Sequence, residues 1–335
     1  MIRVGIVGLG VMGRSHARIL DDVDQADLVA VCDPTDEAMA WAGKRRLVGY
    51  RSYRELFDQG RLDAVIVAVP TRHHLEVGLA AIDHGLHVLM EKPIATDLDE
   101  AQQLVAAAVR QGTVLAIGHV ERFNPAVREL KKRLDAGEVG RVFQVHSRRQ
   151  GPFPSRIRDV GAVIDLATHD LDVMRYLLGV EVVRLYAETE RRIHTEHEDM
   201  LNALLRFDNG AVGVMQVNWL TPTKIRELSV LGERGMLHLN YLTQDLTFYE
   251  NSIATGAEPP LSLLTGVSEG TLLRHVVDRA EPLRLELESF LASVASGTPP
   301  EVGSEDGLKA LALALDLVRS ANEGRVLDLA RQASP

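Results

Sequence analysis

Along the first third of the chain, short apolar runs alternate with segments whose apolar residues recur every three or four positions. Ile2, Val4, Ile6 and Val7 form the first run, which reads as a buried strand. A helix-prone segment over 12–20 follows, and 27–32 is the next strand. The alternation continues with a helix over 35–46, a short helix over 52–57 and a strand over 62–69 closed by Pro70. A helix over 73–84 ends at Gly85, and then come a strand over 86–90, a helix over 97–111 and a strand over 114–118. The pattern predicts an α/β Rossmann domain, a parallel sheet with helices on both faces. A helix over 125–136 bridges to the second half.

Beyond Gly140 the spacing changes. A strand over 141–150 and a helix over 161–178 lead into several longer strands. Segments 199–207 and 211–219 flank Asp208-Asn209-Gly210, and segments 227–231 and 236–239 flank Gly232-Glu233-Arg234-Gly235, two hairpin signals. This predicts an α+β domain with a largely antiparallel open sheet and a helix on one face. Along 212–217, Val212, Val214 and Gln216 alternate with Gly213, Met215 and Val217, so neither face is cleanly polar. Segment 251–268, rich in Gly, Pro, Ser and Thr, reads as a loop. Helices over 283–295 and 306–321 close the chain. The expected division is a dinucleotide-binding domain over 1–120 and a substrate-binding and oligomerisation domain over 121–335, the C-terminal helix being free to pack back on the first.

Composition narrows the partners. A chain of 335 residues exceeds one ordinary core. The net charge of −10 argues against nucleic acid and anionic membrane. Cys32 is the single cysteine, so no intrachain disulfide forms, and its place in a strand suits packing better than reactivity. The first strand starts at residue 2, leaving no room for a signal peptide, and no apolar run reaches membrane-spanning length. The expected location is cytoplasmic.

Chemistry gathers at the predicted strand ends. Gly8, Gly10 and Gly13 follow the first strand as G-x-G-x-x-G and open a helix, the context of a dinucleotide fingerprint. The helix start offers backbone N–H groups to a pyrophosphate. Asp33 ends the second strand 20 residues after Gly13, where a carboxylate accepts from ribose hydroxyls and repels a 2′-phosphate, which favours NAD over NADP. The expected cofactor site comprises Gly8, Leu9, Gly10, Val11, Met12, Gly13, Asp33, Pro70, Thr71, His74, Glu91 and Lys92. A lysine at the position of Lys92 suits an alkoxide developing beside a nicotinamide, the alternative being a solvated surface lysine. Asp165 and His169, four apart on one helix, suit an oriented general base, the alternative being a helical surface pair. The run His194-Thr195-Glu196-His197-Glu198-Asp199 looks like metal ligands but lacks supporting spacing, so a solvated turn and no metal are expected.

These residues carry a resemblance. The glycine motif, Glu91-Lys92-Pro93, Gly118-His119-Val120-Glu121-Arg122-Phe123-Asn124-Pro125, Asp165-x-x-x-His169-Asp170 and the closing Glu305-Asp306-Gly307 resemble the glucose–fructose oxidoreductase/inositol dehydrogenase family (Gfo/Idh/MocA) over the whole chain. The resemblance implies NAD(P)-linked oxidation of a sugar or cyclitol hydroxyl, with Lys92, Asp165 and His169 catalytic and a Lys-Pro bond that is often cis. Residues 149–161 are similar to the UDP-N-acetylglucosamine 3-dehydrogenases within that family, which implies oxidation of the 3-hydroxyl of a UDP-N-acetylhexosamine. Segment 141–158 holds five arginines and no acid, a composition that suits a diphosphate, the alternative being a sheet-edge or subunit-contact strip. Arg149, Arg156 and Arg158 of this segment, with Arg122 and Asn124 of the 118–125 motif, are the expected substrate contacts. An inositol-type dehydrogenase and an NAD-dependent glycosidase are the alternatives, and a homodimer or homotetramer is expected.

Overall fold

The structure, a computed structural model, describes residues 1–154, 160–194, 196–253 and 267–329. Two compact units divide the chain: Met1–Phe123 with Glu281–Ala312, and Asn124–Ala280 with Leu313–Pro335.

The first unit holds six parallel strands: β1 (Ile2–Val7), β2 (Ala26–Cys32), β3 (Val48–Tyr50), β4 (Ala64–Val67), β5 (His87–Glu91) and β6 (Leu115–Gly118). Their order is β3-β2-β1-β4-β5-β6, so the winding reverses between β1 and β4. A reversal of that kind opens a crevice at the carboxyl edge, where open α/β sheets bind ligands. Val4, Ile6, Val65, Ile66 and Val88 are fully buried, as strands covered on both faces require. Between the strands lie α1 (Val11–Leu20), α2 (Asp36–Lys44), α3 (Tyr53–Gln59), α4 (His74–Asp83) and α5 (Leu98–Gln111).

The second unit contains α6 (Pro125–Asp135), β7 (Val142–Pro152), α7 (Thr168–Leu178), β8 (Val182–Glu190), β9 (Met200–Phe207), β10 (Val212–Asn218), β11 (Leu220–Gly232), β12 (Gly235–Asn240), β13 (Asp245–Ile253) and β14 (Val267–His275). After it come α8 (Pro282–Ser296), which belongs to the first unit, α9 (Ser304–Glu323) and the two-residue β15 (Leu327–Asp328). The nine-stranded sheet runs β14-β13-β12-β11-β7-β10-β9-β8-β15. Its neighbours are antiparallel except β7 and β10, which are parallel. Alternation sets one face inward: Val145, Leu201, Ala203, Leu205, Met215, Val217, Leu228 and Val230 are buried against Val127, Leu130, Leu171 and Met174 of α6 and α7.

Three expectations change. Strand β13 runs on through Ile253 and β14 begins at Val267, so the expected loop over 251–268 is strand at both ends, and its middle lies outside the described residues. The expected single helix over 161–178 is a π-helical turn, Val163–Ala167, leading into α7. Residues of three helices, α6, α7 and the second half of α9 (Leu313, Ala314, Leu317), rather than of one, pack in the core of the second sheet. Among the described residues, no helix is long and apolar enough to cross a membrane.

Candidate active site

The glycine loop is fixed by close approach. Gly8 has φ +94°, and a Cβ there would meet the Ala68 carbonyl oxygen at 2.4 Å. A Cβ on Gly13 would lie 1.8 Å from the Gly8 carbonyl oxygen, so helix and loop pack only without a side chain. At Gly10 a Cβ would meet nothing within 4 Å, which leaves that side of the backbone open to a ligand. No side chain caps α1 and no acid sits in its first turn. The first intrahelical bond there is Arg14 N to Gly10 O at 3.1 Å, so the amides of Val11, Met12 and Gly13 point out of the helix end. An open backbone and an uncapped, acid-free helix start fit a dinucleotide pyrophosphate.

Asp33 ties this loop to the end of β2. Its Oδ2 accepts from Leu9 N at 2.9 Å, and its Oδ1 accepts from Thr35 N at 3.0 Å and Thr35 Oγ1 at 2.6 Å. Burial works against the charge, but the bonds from Thr35 and Leu9 outweigh it and hold the carboxyl below its ordinary range. Oδ2, with a single donor, keeps a lone pair for a further one, whereas Oδ1 already accepts two. Cys32 is buried, and its thiol is pushed up to about 12 by burial and then by the charges of Asp33 and Glu55.

The ends of β4 and β5 share that carboxyl edge. Pro70 is exposed and Thr71 begins a 3₁₀ turn over Thr71–His73. His74, expected at the cofactor, is instead buried, with Nδ1 donating to Pro93 O at 2.8 Å and Nε2 standing 3.0 Å from Val69 O. Burial pushes its pKa down against the pull of those carbonyls. Glu91 is likewise buried, and its Oε1 accepts from His16 Nε2 at 2.8 Å. Lys92 is half-buried and its peptide bond to Pro93 is cis.

Two members of this neighbourhood escaped the sequence reading, His16 and Glu286. Both sit on buried helix stripes, His16 with Gly13, Ala17 and Leu20 on α1, and Glu286 with Leu283, Leu287 and Phe290 on α8. A titratable residue on an apolar stripe was the available signal.

In the second unit, Asp165 sits in the π turn and His169 in the first turn of α7, both half-buried. Such turns recur at functional sites. The Glu198 side chain holds the start of this helix, accepting from Val163 N at 3.0 Å, while its backbone carbonyl accepts from Ala162 N at 2.9 Å.

The arginine expectation needs correction. Arg149 is buried and forks onto Asp170 at 3.0–3.1 Å, Arg148 meets Glu227 at 3.2 Å, and Arg141 meets Glu233 at 3.3 Å. The acids absent from the segment come from strands and helices distant in sequence. In the first unit Arg122 is buried against Asp306 at 2.7 Å. Asn124 is buried as the N-cap of α6, with Oδ1 accepting from Ala126 N at 3.1 Å and Nδ2 donating to Tyr241 O at 3.2 Å. Arg149, Arg122 and Asn124 each have hydrogen-bond partners within the fold. Arg156 and Arg158 lie outside the described residues.

His194 and Asp199, expected in a solvated turn, are instead buried. His194 stacks on Trp219, and Asp199 accepts from the amides of Arg192, Ile193 and His194. No group of His, Cys, Asp and Glu placed to hold a metal occurs among the described residues.

Residues 2–119 match a family profile described as an oxidoreductase family with an NAD-binding Rossmann fold, and residues 127–238 match the GFO/IDH/MocA C-terminal domain. The chain is 30% identical to a UDP-N-acetylglucosamine 3-dehydrogenase of Acidithiobacillus ferrooxidans, over 94% of this chain and 96% of that one. It is also 30% identical to inositol 2-dehydrogenase 2 of Saccharopolyspora erythraea, over 96% and 94%. A solved dehydrogenase from Bordetella pertussis, in complex with NADH and UDP-GlcNAcA, has a TM-score of 0.82 at 25% identity over 98% of this chain and 97% of that one. Fold, loop and likeness together define a nicotinamide-dinucleotide-dependent dehydrogenase acting on CH–OH groups. The chain belongs to the Gfo/Idh/MocA family, and its activity is that of a sugar or cyclitol dehydrogenase.

Proposed function

We propose that this protein uses NAD to oxidise the 3-hydroxyl of a UDP-N-acetylhexosamine. The observation that carries this reading is the 149–161 stretch, set in a chain that aligns end to end with a UDP-N-acetylglucosamine 3-dehydrogenase. Val11, Met12 and Gly13 offer amides to the pyrophosphate, Gly10 leaves room for it, and Asp33 accepts from the ribose. When bound, NAD supplies the hydride acceptor. His169 takes the hydroxyl proton, Lys92 donates to the oxygen as negative charge builds on it, and Asp165 orients one of them. Arg156 and Arg158 are the arginines proposed for the diphosphate.

A cyclitol is the second reading. It is favoured because Arg122 and Arg149 already have carboxylate partners and because an inositol dehydrogenase is equally similar. The deciding experiment incubates the protein with NAD and UDP-N-acetylglucosamine, myo-inositol, scyllo-inositol or free glucose, and follows NADH. Formation of NADH from the UDP-sugar alone is the expected result; formation from an inositol alone replaces the first reading with the second. Net NADH also separates a dehydrogenase from a glycosidase that returns its hydride.

The net charge of −10 supports a protein without nucleic-acid or membrane partners, and the single cysteine suits a reducing cytoplasm. The assembly proposed is a homodimer or homotetramer built on the outer face of the second sheet. There Leu231, Met236, Tyr249 and Leu272 stand in register across β11 to β14, an apolar row opposite the core, and a second copy placed by a two-fold axis covers it with the same row. Light scattering is expected to give a multiple of 36.8 kDa at micromolar concentration, and a particle of only that mass would refute the assembly.

A further inference from the structure

Lys92 stands between two residues that buried histidines hold. On one side, Glu91 closes β5 and accepts from His16 Nε2 at 2.8 Å; on the other, His74 Nδ1 bonds the Pro93 carbonyl at 2.8 Å. His16 is fully buried on α1, the helix whose first turn offers its amides to the dinucleotide. The proposed chemistry uses neither His16 nor Glu91.

Burying an imidazole and a carboxylate is costly where an apolar pair would fill the space. The surroundings add to that cost. Glu286 of α8 is also buried, and neither of its carboxyl oxygens has a hydrogen-bond partner among the described residues. Two carboxyls in one apolar neighbourhood do not both ionise. Only Glu91 has a donor, so Glu91 carries the charge and Glu286 keeps its proton. Burial, and then the charge of Glu91, pushes Glu286 well above the usual carboxyl range. Burial also pushes Glu91 up, but the His16 hydrogen bond and nearby Lys92 outweigh it and hold Glu91 below that range.

We propose that His16 and Glu91 are positioning residues for Lys92: the dinucleotide-binding helix fixes the Glu91 carboxylate through His16, and that carboxylate anchors the strand end that presents the lysine. The inference rests on Lys92 acting at the substrate hydroxyl. Through this link, the seating of α1 sets the placement of Lys92.

The test measures turnover with UDP-N-acetylglucosamine, or myo-inositol where that is the compound oxidised, and NAD affinity by calorimetry. Glu91→Ala is expected to lower kcat roughly 10- to 100-fold, the scale of a displaced catalytic group, with the NAD dissociation constant within about threefold. Glu91→Gln keeps an oxygen for His16 and is expected to return kcat to within about fivefold of the parent. On a Lys92→Ala background, Glu91→Ala is expected to cost nothing further. A second readout is independent of activity: the infrared C=O band of a buried protonated carboxyl, removed by Glu286→Gln, should be joined by a second such band in His16→Ala. Full turnover in Glu91→Ala, an equal loss on the Lys92→Ala background, a parallel loss of NAD affinity, or no second band in His16→Ala would each overturn the proposal. Full turnover in Lys92→Ala itself would instead remove the proposed role of Lys92, on which this inference stands.

Discussion

Lys92→Ala is expected to lower turnover by about 10²- to 10³-fold while leaving NAD affinity nearly unchanged. That is the scale for losing one donor to an oxyanion, and the split follows because the charge it steadies exists only in the transition state. His169→Ala is expected to cost about a hundredfold or more, the scale of a positioned base. In the proposed mechanism the two share one proton-transfer step, so the double variant should lose less than the product of the single losses. Steady-state kinetics on the three variants decides it. A Lys92→Ala enzyme with full turnover ends the catalytic reading of Glu91-Lys92-Pro93, and strictly multiplicative losses end the shared step.

Asp33→Ala is expected to weaken NAD binding by roughly tenfold or more and to narrow the preference for NAD over NADP. Bonds to a charged group are worth about 1.5–3 kcal/mol each, and the substitution strips an acceptor from Leu9 N and Thr35 as well as from the ribose. It also removes the charge that repels a 2′-phosphate. Because the folded-state pKa of Asp33 lies below the ordinary 3.8, its contribution is complete above that value and is lost as pH falls through the folded value. The preference should therefore hold from about pH 5 upward. Calorimetric titration of both cofactors into parent and variant checks this, and equal affinities in the parent would sink it.

The Rossmann half was legible because its signals are local. Apolar runs, the glycines and Asp33 act within a few residues of one another, and the bonds from Gly8 N to Cys32 O and from Leu9 N to Asp33 join the strand ends those signals predict. Strand β3 (Val48–Tyr50) and β15 (Leu327–Asp328) are too short to show a period. Strands β13 and β14 flank a Gly- and Pro-rich stretch whose composition masked their ends. The π turn was invisible because a single widened turn of five residues is too short to show a period of its own. Pairings across long separations misled most. Arg148 and Glu227 are 79 residues apart, so a segment rich in arginine looked uncompensated when its acids lay elsewhere, and Arg122 likewise meets Asp306 184 residues on.

The return of α8 to the first unit has a consequence for the order in which the protein is made. The core that holds Val4, Ile6, Ala64, Ile66, Leu89 and Ala116 is closed by Leu283, Leu287, Phe290 and Leu291, and the Ile117 amide bonds the Val302 carbonyl at 3.1 Å. A ribosome emits residues 1–123 first and then the whole of Asn124–Ala280 before it delivers the helix that completes the earlier core. Domains of a growing chain usually fold from the N-terminus forward. The second unit waits too, because Leu313, Ala314, Leu317 and Leu327 of its closing segment belong to its core, so both units are begun early and completed only as the segment from Glu281 onward emerges.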